Sequence, residues 1–91
     1  MNRLQIELFL TLAENKNFTK TANAHNTTQP TVSRQIQMLE EELGTCLFNR
    51  NRRNMQITKS GEAYYKLFQK WKNELITIQK KYPPESNDIL K

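Results

Sequence analysis

The sequence predicts a mainly α-helical fold: three helices and a small β-hairpin wing, a winged helix-turn-helix, followed by one long dimerisation helix. Three observations predict it. Apolar residues recur at helical spacing through much of the 91-residue chain. The run Thr28-Gln29-Pro30-Thr31-Val32-Ser33-Arg34-Gln35-Ile36 opens a helix with a cap and a proline, and it lies just after a short helix and a tight turn. A basic, amide-rich stretch, Asn49-Arg50-Asn51-Arg52-Arg53-Asn54, separates two short runs of strand-forming residues.

The first helix is expected over 3–14. Leu4, Leu8, Phe9, Leu12 and Ala13 fall at helical spacing and should face inward. Asn15-Lys16-Asn17 ends it, and Asn17 is a good N-cap for a second helix over 18–25. Phe18, Thr21 and Ala22 should face the core from that helix. Asn26 and Thr27 form the turn. Thr28 caps the third helix, over 29–43, and Pro30 sits in its first turn, where a missing N–H costs nothing.

In the third helix Val32, Ile36, Leu39 and Leu43 lie at i, i+4, i+7 and i+11, which puts all four on one narrow stripe. Arg34 points nearly opposite. Ser33 and Gln37 flank the stripe on one side, Thr31 and Met38 on the other, and Gly44 suits the left-handed C-terminal cap. A helix of this kind packs with one side and offers small polar groups, amides and one arginine with the other. That is what reading DNA base edges requires. Arginine pairs with guanine, glutamine with adenine, and a threonine methyl touches the thymine methyl. Gln29, Thr31, Ser33, Arg34 and Gln37 are the candidate base readers, with Thr28 at the phosphate-facing helix start.

Leu47-Phe48 and Met55-Gln56-Ile57-Thr58 are the candidate strands. Thr58 then caps a fourth helix over 59–82, roughly 36 Å long. Tyr64, Phe68, Trp71, Leu75, Ile78 and Tyr82 make an a/d seam of three heptads along it. Ala63 and Leu67 are expected to fold back onto the core. The rest of the seam would stay wet in a monomer, so two copies should pair through it. Pro83-Pro84 ends the helix. The organisation expected is therefore a DNA-binding domain at 1–58, a linker helix at 59–82 and a tail or hinge at 83–91.

Charge and composition narrow the partners. The net charge is +5, with 14 Lys and Arg against 9 Asp and Glu, and mean hydropathy is −0.83. Between Asn15 and Leu39 the charges are Lys16, Lys20 and Arg34; between Leu43 and Gly61 they are Arg50, Arg52, Arg53 and Lys59. Two acid-free basic stretches favour a polyanionic partner. Glu40, Glu41 and Glu42 lie between them, so that end of the helix should tilt away from phosphate. The single cysteine, Cys46, allows no internal disulfide and reads as a small buried hydrophobe in a reducing cytoplasm. No stretch reaches the roughly twenty apolar residues of a membrane span. His25 has no second ligand at metal-binding spacing, and nothing resembles a nucleophile–base pair or a glycine-rich phosphate loop. No enzyme, metal or cofactor is expected.

Two functions of different class fit these residues. One is sequence-specific duplex binding by a dimer on a palindromic operator. The other is a small protein-interaction module, antitoxin- or adaptor-like, whose long aromatic helix docks a partner and whose DNA affinity is incidental. RNA binding fits less well, because stacking aromatics are lacking outside the fourth helix.

The series Phe18-Thr19-Lys20-Thr21-Ala22, Thr28 to Ile36, Leu39-Glu40-Glu41-Glu42-Leu43-Gly44, Leu47-Phe48-Asn49-Arg50 and Ile57-Thr58-Lys59-Ser60-Gly61-Glu62 resembles the N-terminal domain of LysR-type transcriptional regulators. The resemblance runs over about residues 3 to 82. It implies a DNA-binding regulator that dimerises through its linker helix. It places Gln29, Pro30, Thr31, Ser33 and Arg34 in the major groove and Arg50, Arg52 and Arg53 on the wing and backbone. The family continues into a periplasmic-binding-protein-like domain that senses a small effector; such an effector would be a partner only through that domain, and the Pro83-Pro84 junction suits a domain boundary. This chain departs from the family pattern at His25 and Thr27, where a leucine and another aliphatic are usual, and at Thr31, where a smaller residue is usual. The first two should soften the elbow between the second and third helices by about 1–2 kcal/mol.

Overall fold

The computed structural model describes residues 1–50 and 55–85. The elements run α1 (Arg3–Asn15), α2 (Phe18–Ala24), α3 (Gln29–Leu43), β1 (Phe48–Arg50), β2 (Met55–Ile57) and α4 (Lys59–Lys81). Local chemistry sets their ends. Asn2 caps α1 in a reciprocal box with Gln5, and Lys16 closes it in the left-handed conformation. Asn17, Thr28 and Thr58 each accept a backbone N–H from the first turn of α2, α3 and α4. Gly44 ends α3 at φ 72°.

The turn between α2 and α3 is tight because α2 ends in a double hydrogen-bonded cap. Asn26 takes φ 53°, the Thr27 N–H reaches the Ala22 carbonyl at 2.9 Å, and the Asn26 N–H reaches Asn23 at 3.3 Å. An asparagine tolerates that conformation, so no glycine is needed here. His25 faces α1 instead of opening a hole in the core: its Nε2 lies 2.8 Å from the Thr11 hydroxyl. The polar residue expected to soften the elbow therefore has a matched polar partner, which offsets much of its burial.

Leu8, Phe9, Leu12, Val32, Ile36, Leu39 and Leu47 are fully buried at the centre. The Phe9 ring stands 5.6 Å from Phe48 and 5.9 Å, edge-on, from Phe68, so one aromatic joins α1, β1 and α4. β1 and β2 pair antiparallel, Phe48 opposite Ile57 and Arg50 opposite Met55. The buried Gln5 donates from Nε2 to Gln35 Oε1 at 3.0 Å, tying α1 to α3. Tyr65 donates to Glu14 at 2.8 Å, tying α4 to α1; that bond, with partial burial and the nearby negative charge, holds its phenol above the usual tyrosine range.

Several expectations are corrected. Leu4 is 48% exposed, while Gln5, Ile6 and Leu10 are buried beside Leu8, Phe9 and Leu12. α1 is enclosed by α2 and α3 on one flank and α4 on another, so its buried arc is wider than a single stripe and excludes Leu4. Leu43 is only partly covered at the end of its helix, and Cys46 is exposed rather than buried.

On α4 the docking line runs through Gly61 and Phe68, both buried. Ala63 and Leu67 are exposed, not core, because Leu67 lies about 100° round the helix from Phe68. Phe68, placed on the inter-copy seam by its heptad position, is instead a core residue at 5% exposure, and Tyr64 packs partly against the same core. Beyond Phe68 the helix leaves the body, giving the molecule a 50 Å long axis.

Candidate nucleic-acid interface

α3 is held by its apolar stripe, Val32, Ile36 and Leu39, against α1 and α2. Its remaining sides carry the predicted readers. Thr28, Gln29, Pro30, Thr31, Arg34 and Gln37 are all exposed, and Ser33 is half-buried beside the stripe. Thr28 to Arg34 lie at the N-terminal end of α3, the positive end of its dipole, and Gln37 follows at mid-helix. The first turn contains no acidic residue. Thr31 is partly engaged already: its hydroxyl lies 2.9 Å from that of Thr28, and its N–H reaches the same oxygen at 3.3 Å. That pairing fixes the Thr31 rotamer and leaves its methyl to set the local shape.

Lys59, also predicted here, is exposed at the first position of α4. Arg50 is at the end of β1, but its guanidinium is engaged. Nη2 stands 3.5 Å from Glu40 Oε1, and the group lies over the Phe18 ring at 5.6 Å. Arg52 and Arg53 lie outside the described residues.

The three glutamates do not act alike. Glu41 and Glu42 point outward, whereas the Glu40 side chain turns back under the hairpin. This role was not visible in the sequence, because the partners of Glu40 are backbone N–H groups that only the fold brings near. Gln5 and Gln35 were missed for a similar reason: each reads as an ordinary polar residue of an amphipathic helix.

Residues 4–62 match the family described as bacterial regulatory helix-turn-helix protein, lysR family. The chain belongs to the lysR family. Among relatives, it is 40% identical over 74 residues to the HTH-type transcriptional activator IlvY of Haemophilus influenzae, which covers 80% of this chain and 25% of that protein. It is 35% identical over 89 residues to the uncharacterized HTH-type transcriptional regulator YwqM of Bacillus subtilis, covering 98% of this chain and 29% of that one. The chain thus matches about a quarter of the length of these regulators.

Solved structures agree. The BenM DNA-binding domain in complex with catB site 1 DNA superposes with a TM-score of 0.82 at 35% identity, over 86% of this chain and 84% of that one. The CbnR DNA-binding domain in complex with DNA gives 0.84 at 27% identity, over 90% of this chain and 94% of that one. The relatives named are transcriptional regulators, and the winged helix-turn-helix with four helices and an antiparallel hairpin is the fold they share with this lysR-family chain. Among the described residues no helix is long and apolar enough to cross a membrane.

Proposed function

We propose that this lysR-family chain binds double-stranded DNA sequence-specifically, as a homodimer on a two-fold symmetric operator, in the cytoplasm. One observation carries the reading: α3 presents Gln29, Pro30, Thr31, Arg34 and Gln37 to solvent while the same helix is anchored through Val32, Ile36 and Leu39. A rigid helix with a polar, acid-free leading end fits the major groove. Arg34, Gln29 and Gln37 supply donors for base edges, and Ser33 and Thr31 border them. Thr28 and Lys59 address phosphate, together with the wing arginines Arg52 and Arg53. Residues 1–58 act as the reading unit, 59–82 as the pairing helix and 83–91 as a tail or hinge. A small-molecule effector belongs to this account only through a further domain of the kind that family relatives carry.

If Arg34 reads a base, Arg34→Ala should weaken binding to the preferred site by about 1–3 kcal/mol and to random duplex far less. Competition between labelled preferred and random duplexes measures this. Equal losses on both would make Arg34 a phosphate contact.

The pairing surface follows from α4. Leu67, Trp71, Ile78 and Tyr82 are 56%, 38%, 57% and 67% exposed. They share about 60° of helix arc, with Leu75 at the edge and Tyr64 at the N-terminal end. Leu67 thus takes the place on the seam that Phe68 vacates. Trp71→Glu should raise the dimer dissociation constant roughly 30- to 1,000-fold, as loss of a central aromatic costs about 2–4 kcal/mol. Sedimentation should then show a monomer with unchanged helix content at tens of micromolar. A wild-type chain already monomeric there would remove α4 as the pairing element. No observation favours the adaptor reading over this one.

A further inference from the structure

Glu40 carries the wrong charge for its neighbourhood. It stands one turn from the end of the reading helix, yet its side chain is only 13% exposed. Both of its carboxylate oxygens have partners. Oε2 accepts from the Leu47 N–H at 2.7 Å and the Phe48 N–H at 3.3 Å, and Oε1 faces the Arg50 guanidinium at 3.5 Å. The guanidinium lies in turn over Phe18, the first residue of α2, at 5.6 Å. A carboxylate taking two backbone N–H groups and an arginine is directional, because each oxygen has a separate task.

We propose that Glu40 and Arg50 form a latch that fixes the wing relative to α3, with both as positioning residues for DNA reading and Arg50 not a phosphate contact. The inference rests on the DNA-binding reading above. Arg50 closes the register of the hairpin opposite Met55, so holding it sets where the strand pair leaves the body. Nη2 faces Glu40 and one face of the group lies over Phe18, so the guanidinium is held from two directions. α3, the start of β1 and α2 thereby become one rigid unit around a single carboxylate. Base reading needs sub-ångström placement, whereas contact with a uniform phosphate backbone tolerates a small rotation. The latch should therefore matter more for the preferred site than for random duplex.

Electrostatics and the latch predict opposite signs, which makes the test direct. Removing an acid near a polyanion should tighten binding; removing the latch should weaken it. Binding of the full chain to a selected duplex and to a scrambled one is measured across a salt series. The variants are Glu40→Gln, Glu40→Asp, Arg50→Met and the double change Glu40→Gln with Arg50→Met. Glutamine has one carbonyl oxygen, so capping the backbone turns its amide donors toward Arg50. Aspartate keeps the charge but is one methylene short.

Each single variant is expected to weaken the selected duplex about tenfold and the scrambled one less than about threefold. The double variant should be no weaker than the worse single within about twofold, since coupled groups lose one interaction between them. The salt slope of Arg50→Met should stay at the wild-type value. Tighter binding by Glu40→Gln, losses that multiply in the double variant, or a slope reduced by about 0.9 for Arg50→Met would overturn the latch. If circular dichroism shows Glu40→Gln unfolded, Glu40→Asp and the Arg50→Met slope decide by the same criteria. A wild-type chain that holds both duplexes equally overturns the DNA-reading account itself, and the latch with it.

Discussion

Gly61→Ala is expected to destabilise the domain by about 3 kcal/mol or more, at the upper end of overpacking effects. The reason is where α4 enters the core. A Cβ on Gly61 would stand 2.2 Å from the Leu47 carbonyl oxygen and 2.6 Å from Ile57 Cγ1. The first obstacle is backbone, and it cannot swing aside: the Leu47 carbonyl accepts the Thr58 N–H at 2.9 Å, while the Leu47 N–H is held by Glu40. The helix must move instead. Gly61 is seven residues before Phe68 on the docking line, so a shift at its start pulls Phe68 away from Phe9. A domain of this size has only about 5–14 kcal/mol in total. Urea denaturation followed by circular dichroism should show a clearly lower midpoint. A midpoint within about 0.5 kcal/mol of wild type would mean that α4 is not seated as described.

Phe9→Ala should cost a similar or larger amount, about 3–5 kcal/mol. Phe9 is fully buried, and its ring meets both Phe48 and Phe68. Truncation leaves a void between three elements that cannot all close on it, because β1 is tied to α3 through Glu40 and α4 is blocked at Gly61. Thermal unfolding measures the loss directly. The variant should lose stability without a change in helix content at low temperature. A cost below about 1.5 kcal/mol would show a core able to collapse around the site, and so looser than the aromatic geometry implies.

The two substitutions also mark what could be read in the sequence. Helix ends were legible because capping is local. Asn17, Thr28, Thr58 and Gly44 each do at their own position what their chemistry suits them for. The outward face of α3 was legible for the same kind of reason, since the apolar stripe through Val32, Ile36 and Leu39 defines its opposite side. Facing on α4 was not. The heptad pattern correctly finds an apolar helix, but it does not tell which apolar residues dock on the chain's own core and which stay exposed. The close approach at Gly61 sets the rotation that buries Phe68 and leaves Leu67 exposed. Leu4 failed similarly, since which flank of α1 is covered depends on where α4 lies. Glu40 and Arg50 were read as charges with respect to DNA, when their first partners are each other and the backbone of β1. Contacts of that sort have no sequence period.

Sequence reading by a dimer of this chain can be measured by selecting bound duplexes from a random pool at about 150 mM salt, where phosphate contacts alone are weakened. A two-fold symmetric motif is expected, with half-sites one or two helical turns apart. Enrichment of no motif, with bound duplexes as varied as the starting pool, would contradict it.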